Sequence, residues 1–296
     1  MQVRFEGVMP AITTPFNADL SVDHGFLIEH ASWQVAAGCS ALVPCGSLGE
    51  AATLGADEKI AIVASCVRAV NVPVIPGVAA LSTAEAVRLA QGFETAGARG
   101  LMVLPPYVYS SDWYEMKAHM NAVIRATRLP CIIYNNPVAY RTDFSPNQIV
   151  ELAQENDNVA AVKESSTDVR RIAALRALAG DKLALGVGVD DLLLEGVAAG
   201  ASFWIAGLVN ALPRESVRLF DLARAGQHEE ARRLYEWFLP LLRLDTVPKF
   251  VQLIKLTQQI VGQGSARVRP PRLELEGAEL VQARQLITAS LAARPL

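Results

Sequence analysis

The stretch Asn158-Val159-Ala160-Ala161-Val162-Lys163-Glu164-Ser165-Ser166 decides how this chain is read. Small apolar residues between polar ones read as a buried strand, and an amine stands at its carboxyl end. A lysine placed where the chain leaves the core loses part of its solvation. Desolvation favours the neutral amine, which is a nucleophile toward carbonyls and imines. The plain alternative is a lysine that snorkels from a strand end into solvent. The chemical reading holds only if other parts of the chain converge on Lys163.

Working outward, short apolar runs alternate with helical patterns. The strand-like runs are Met9–Thr13, Ala41–Cys45, Val74–Val78, Leu101–Leu104, Cys131–Tyr134, Val159–Lys163, Ala184–Gly188 and Phe203–Ala206. Helix starts lie between them. Ser82-Thr83-Ala84-Glu85 is a capping box, Asp112 with Glu115 resembles one, and Ser145-Pro146 and Leu212-Pro213 put proline in a first turn. Such alternation argues for a (β/α)8 TIM barrel over an open doubly wound sheet. No G-x-G-x-x-G follows an early strand, which counts against dinucleotide binding. Beyond Gly226 the alternation stops, and Glu229–Leu242, Pro248–Gly262 and Gly277–Ala293 read as three helices. The expected division is a catalytic barrel over residues 1–226 and a C-terminal helical domain over 227–296.

Composition bounds the function. The 296 residues are 51% hydrophobic and carry a net charge of −3, which offers no electrostatic footprint for nucleic acid. Arg218, Arg224, Arg232, Arg233 and Arg243 have acids interspersed among them and read as solvated helix faces. The N-terminus lacks the apolar core of a signal peptide. The uncharged stretch Gly196 to Pro213 is near membrane-spanning length, but Gly200, Ser202, Gly207 and Asn210 break it. The expectation is a soluble cytoplasmic protein with neither membrane nor nucleic acid as partner. Cys39, Cys45, Cys66 and Cys131 form no C-x-x-C pair, and His24, His30, His119 and His228 show no metal-ligand spacing. The thiols read as reduced core residues.

In a barrel of this kind, chemistry sits at the carboxyl ends of the strands. The second run leads into Pro44-Cys45-Gly46-Ser47-Leu48-Gly49-Glu50. Its glycines let the backbone turn and aim amides inward around a hydroxyl, a plausible grip for a carboxylate. The fifth run ends in Tyr134-Asn135-Asn136-Pro137, a phenol before a rigid turn, and the sixth ends in Lys163. Loop glycines and strand-end tyrosines are each common structural features. Together, an amine, a phenol and a hydroxyl–amide pocket are the parts of Schiff-base chemistry on a small 2-oxo or 2-imino acid.

On Thr13-Thr14-Pro15-Phe16, Gly46-Ser47-Leu48-Gly49-Glu50, Pro105-Pro106-Tyr107, Tyr134-Asn135-Asn136-Pro137, Val162-Lys163-Glu164-Ser165-Ser166 and Gly188-Val189-Asp190-Asp191, the chain resembles the dihydrodipicolinate synthase and N-acetylneuraminate lyase family over essentially its whole length. The resemblance implies a barrel with a C-terminal helical domain, a homotetramer built as a dimer of dimers, and neither metal nor organic cofactor. It makes Lys163 similar to the Schiff-base lysine and Tyr134 to the catalytic tyrosine. Ser47 and the Leu48 amide match its carboxylate-binding pair. Gly46, Asp190 and Ala206 complete the candidate substrate-binding set, although a helix N-cap role is the stronger reading for Asp190 and Asp191.

The departures from that pattern narrow the substrate. Lysine-pathway synthases carry two threonines where this chain has Ser47 and Leu48, and a relay tyrosine where it has Val108. They place an arginine for the second substrate's acid where this chain has Ala139, and the nearest arginine is Arg141. Tyr107 and Tyr109 are the nearby candidates for the missing relay. The runs 135–143, 204–215, 237–242 and 267–273 resemble instead the branch that degrades hydroxyproline. That resemblance implies deamination of 1-pyrroline-4-hydroxy-2-carboxylate to 2,5-dioxopentanoate and ammonia. The alternatives are an aldolase or dehydratase of 3-deoxy-2-oxo sugar acids, 4-hydroxy-tetrahydrodipicolinate synthase, and a noncatalytic metabolite-binding barrel.

Overall fold

Seven of the apolar runs pair side by side, all parallel, in a computed structural model that describes residues 3–107 and 112–295. They are β1 (Gly7–Pro10), β2 (Gly77–Val78), β3 (Leu101–Val103), β4 (Cys131–Asn135), β5 (Val159–Glu164), β6 (Ala184–Val187) and β7 (Phe203–Ala206). Their order is β1-β7-β6-β5-β4-β3-β2. Nearly every strand residue is buried, as expected where the barrel interior covers one face and helices the other.

The second expected strand differs. Ala41–Cys45 forms only a single parallel bridge, Leu42 to Val74, and of Val74–Val78 only β2 joins the ladder. Pro44, Pro73 and Pro76 have no N–H to give, which interrupts the regular pairing. The remaining amides still stitch the stave to both neighbours. Val43 N donates to Pro10 O (2.9 Å) and Ile12 N to Val43 O (3.1 Å) on one side. On the other, Leu42 N donates to Pro73 O (2.9 Å) and Ile75 N to Leu42 O (2.8 Å). The irregular stave thus lies between β1 and β2 and closes the (β/α)8 barrel.

The helices are α1 (His24–Ala36), α2 (Ala56–Ala69), α3 (Thr83–Thr95), α4 (Trp113–Arg125), α5 (Pro137–Tyr140), α6 (Pro146–Glu155), α7 (Arg170–Ala179), α8 (Leu193–Ala198) and α9 (Pro213–Arg224). Their starts follow local chemistry. Ser82 and Asp112 accept from the Glu85 and Glu115 amides at 3.3 and 3.0 Å, and Ser145 forms a reciprocal capping box with Gln148. After Gly226 come α10 (His228–Leu242), α11 (Phe250–Ile260) and α12 (Gly277–Ala292). α10 packs on α9 and α12, and the turn Arg243–Asp245 after it touches both α11 and the turn Asp190–Leu192 after β6. The C-terminal helices therefore reach the carboxyl ends of the barrel strands.

Candidate active site

β4 and β5 are paired so that Tyr134 lies opposite Lys163 and Asn135 opposite Glu164. Both Tyr134 and Lys163 are buried, and the Lys163 Nζ lies 4.1 Å from the centroid of the Tyr134 ring. Room for the lysine comes from Gly188, just beyond β6. A Cβ there would fall 2.5 Å from Lys163 Cε and 1.9 Å from Ser165 Oγ. Ser165 Oγ is itself buried and without a hydrogen-bond partner among the described residues.

The phenol is held by the turn that follows it. Asn136 Nδ2 donates to the Tyr134 hydroxyl (2.9 Å), leaving that hydroxyl's own proton free to be given away. The same Asn136 caps α5, its Oδ1 accepting from the Ala139 amide at 3.0 Å. Asn135, fully buried, braces the far side of the turn by accepting from the Phe144 amide (3.0 Å) and donating to Asp143 (3.1 Å). Arg171 clamps Asp143 through two bonds of 2.6 and 2.7 Å, which holds that carboxyl below its usual range against the opposing effect of burial.

The glycine loop is bent by two residues in the left-handed region, Cys45 (φ 59°) and Glu50 (φ 53°). Gly49 is needed for space, since a Cβ there would meet Ile12 O at 3.0 Å and Cys45 N at 3.2 Å. Ser47 Oγ hydrogen-bonds the Tyr140 hydroxyl at the end of α5. Tyr140 in turn stands edge-on to Tyr134, ring centroids 6.0 Å apart, and contacts the Tyr107 ring at 5.6 Å. Burial, with Tyr134 beside it, pushes the Tyr140 phenol well above its ordinary pKa, so it stays protonated. Tyr140 was not among the sequence candidates, although it lies in the run 135–143. The one-turn α5 is what folds it back over the mouth. Val108 and Tyr109 lie outside the described residues.

The loop is also tied to the C-terminal helices. The carboxylate of Glu50, buried to 2% exposure, takes the Lys255 ammonium at 2.5 Å and the Arg269 amide at 3.0 Å. Leu48 is buried beside Ser47, and Gly46 gives its carbonyl to the Ala51 amide (3.3 Å). Nothing local in the sequence pairs Glu50 with a lysine so far along the chain.

At β6 and β7 the structure revises the reading of the acids. Asp190 does not cap its own helix. Its buried carboxylate accepts from the Gly207 amide (3.1 Å) and the Leu208 amide (2.8 Å), fixing the turn after β7. Burial raises its pKa to about 6 against the lowering effect of those amides and of Lys163. Asp191 points outward to Arg243 (3.4 Å). Ala206 ends β7 with its carbonyl taken by the Ala11 amide (2.9 Å). A further carboxylate, Asp245, comes from the turn after α10 and lies against Gly207, where a Cβ would fall 2.0 Å from its Oδ1. The sequence carried no signal for it, because nothing local indicates that this turn closes over the barrel. Among the described residues no cluster of three or more His, Cys, Asp or Glu side chains is set to hold a metal ion. A cleft lined by Glu6, Pro130, Arg176 and Lys182 sits at the amino-terminal ends of the strands, away from Lys163.

A lysine and a phenol in register at the carboxyl ends of adjacent barrel strands, with hydroxyls across the mouth, define an enzyme that works through an imine. The model of the dihydrodipicolinate synthetase family matches residues 4–290. The 4-hydroxy-tetrahydrodipicolinate synthase of Geotalea daltonii is 34% identical over 93% of this chain and 94% of its own length. That of Rhizobium meliloti is 32% identical over 91% and 92%. Dihydrodipicolinate synthase from Aquifex aeolicus superposes with a TM-score of 0.92 at 28% identity, covering 96% of this chain and 98% of its own. YagE, a prophage protein of the dihydrodipicolinic acid synthase family from E. coli K12 in complex with pyruvate, gives 0.91 at 26% identity, over 98% and 99%. The chain belongs to the dihydrodipicolinate synthetase family and is a Schiff-base lyase of that family.

Proposed function

We propose that Lys163 is the nucleophile and that the enzyme deaminates 1-pyrroline-4-hydroxy-2-carboxylate to 2,5-dioxopentanoate and ammonia. The imine chemistry rests on one observation, the Lys163 Nζ 4.1 Å from the ring centroid of a Tyr134 whose hydroxyl is oriented by Asn136. Ser47 and the Leu48 amide hold the substrate carboxylate, and Tyr140 adds a second phenol beside them.

Neutral Lys163 adds to C2 of the cyclic imine, and expulsion of the ring nitrogen leaves a Schiff base to the opened chain. Loss of a C3 proton gives an enamine, which expels the C4 hydroxyl as water. A C5 proton is then lost and C4 and C3 are reprotonated in turn, so that the amine at C5 becomes an imine and the Schiff base at C2 is restored. Hydrolysis at C5 releases ammonia, and hydrolysis at C2 frees Lys163. One water leaves and two enter, so the net reaction consumes one water. Tyr134 shuttles protons near the lysine nitrogen.

The choice of substrate is supported by Ala139, exposed where a second acid would need a cation, and by Arg141, which is also exposed. A reaction with one substrate needs no such cation. The names of the relatives favour a second reading, 4-hydroxy-tetrahydrodipicolinate synthase, in which pyruvate would condense with aspartate semialdehyde. Cleavage or dehydration of a 3-deoxy-2-oxo sugar acid is the remaining alternative. A substrate panel separates them. Ammonia release from the hydroxypyrroline, with 2,5-dioxopentanoate supporting reduction of a nicotinamide cofactor in a coupled dehydrogenase assay, is the expected result. Efficient aspartate-semialdehyde condensation without ammonia release would replace the assignment. A homotetrameric assembly, a cytoplasmic location and a helical domain beginning at residue 227 accompany this reading and are open to direct test.

A further inference from the structure

Lys163 has two carboxylates for neighbours, and only one of them is provided for. Asp190 is saturated by the Gly207 and Leu208 amides. Asp245 Oδ1 is closed off from solvent, yet no described residue donates a hydrogen bond to it. A buried carboxyl oxygen without a donor costs free energy that a folded protein normally avoids, so such an atom points to a missing partner. Its position is deliberate in the steric sense. Gly207 sits in ordinary backbone (φ −92°), so its lack of a side chain serves only to admit the Asp245 carboxyl, which any Cβ would displace.

We propose that Asp245 receives the nitrogen of the substrate, as the group that protonates and then binds the amine released when the ring opens. The inference rests on the deaminase reading and assigns the nitrogen end of that substrate to the C-terminal helical region. As the C2–N bond breaks, its electron pair goes to nitrogen, the lysine nitrogen's lone pair closes the C2=Nζ bond, and the carboxyl proton moves to the departing amine. The amine leaves beside the new carboxylate and takes up one further proton from water, giving a carboxylate–ammonium pair. Burial and the neighbouring Asp190 raise the Asp245 pKa well above its ordinary value, against the lowering effect of Lys163, which favours the protonated carboxyl. Asp191, which also raises it, is turned outward to Arg243.

The test does not require turnover. 1-Pyrroline-2-carboxylate lacks the C4 hydroxyl, so after ring opening it halts as a Schiff base bearing a C5 ammonium. 2-Oxopentanoate gives the same chain without nitrogen. Borohydride trapping on Lys163 is measured by intact mass against the concentration of each. The pyrroline should reach half-maximal trapping at about 10- to 100-fold lower concentration, the range of a hydrogen bond to a charged group. In Asp245→Asn that ratio should fall toward one. A wild-type ratio near one overturns the proposal, and so does an Asn variant that weakens both compounds while keeping their ratio. If the wild type shows the preference but the hydroxypyrroline releases no ammonia, the deaminase reading fails while the nitrogen site stands.

Discussion

Tyr134 and Lys163 face each other across two adjacent parallel strands, and the residues that follow them, Asn135 and Glu164, are paired in the same register. Phenol and amine are therefore placed by the sheet itself, and the loops only adjust them.

Lys163 is expected to carry all covalent chemistry. Incubation with pyruvate followed by borohydride should add one adduct to the peptide containing Lys163. Lys163→Ala should abolish turnover, and Lys163→Arg should not restore it, because a guanidinium stays protonated. Labelling of any other lysine would dismiss the imine mechanism.

Tyr134→Phe keeps the ring over the lysine and deletes the proton. Its loss should fall on kcat, by about 10²- to 10⁴-fold, the usual contribution of a general acid–base group. Asn136→Ala should cost less, roughly fivefold, since it removes one orienting hydrogen bond. A phenylalanine variant with near wild-type kcat would reduce Tyr134 to packing.

Ser47 and Tyr140 should behave as one unit. Ser47→Ala, Tyr140→Phe and the double variant form a cycle in which kcat/KM reports a coupling of about 0.5–3 kcal/mol. Strict additivity would mean that the two hydroxyls act separately.

The fold class, the strand ends and both members of the lysine–tyrosine pair were legible in the sequence because each depends on local pattern. A run of small apolar residues ending in Lys163 needs no distant information. Tyr140 lay within the run 135–143 but was not recognised, because its role depends on one turn of helix that Asn136 and Pro137 start. Asp245 and Lys255 were invisible for a different reason. Their partners, Gly207 and Glu50, are far away in sequence, and only the docking of the C-terminal helices brings them together. The second strand was misread as regular because its apolar residues satisfy the pattern while its prolines defeat the ladder.

Breaking the Glu50–Lys255 pair should be costly from either side. Lys255→Met strands a buried carboxylate and Glu50→Gln strands a buried amine, each at about 3–5 kcal/mol. The double variant should recover part of that loss in urea unfolding. A double variant no better than the worse single one would show that the bonds of Lys255 to the Arg267 carbonyl (2.8 Å) and of the Arg269 amide to Glu50 (3.0 Å) matter more than the pair.

Acid sensitivity should arise partly from His30. It is buried among Asn210, Gln34 and Gln258, and burial lowers its pKa from 6.5 to about 4. The unfolded chain binds a proton below 6.5 that the folded one refuses until about 4. Stability from this site is therefore complete above pH 6.5 and lost between 6.5 and 4, by about 3 kcal/mol. Unfolding free energies at pH 7.5 and 4.5 should show a smaller drop in His30→Gln than in the wild type. Equal drops would assign the acid sensitivity to carboxylates.

The proline-interrupted stave between β1 and β2 has a bearing on motion. A barrel has no free edge only while every seam is stitched, and this seam has the fewest regular rungs. Amide hydrogens of Leu42, Val43 and Ile75 should thus exchange with solvent sooner than those of β4 and β5, tracing the line along which the cylinder breathes. Because Ser47 hangs from that line, each opening would loosen the anion grip while leaving the amine and phenol in place.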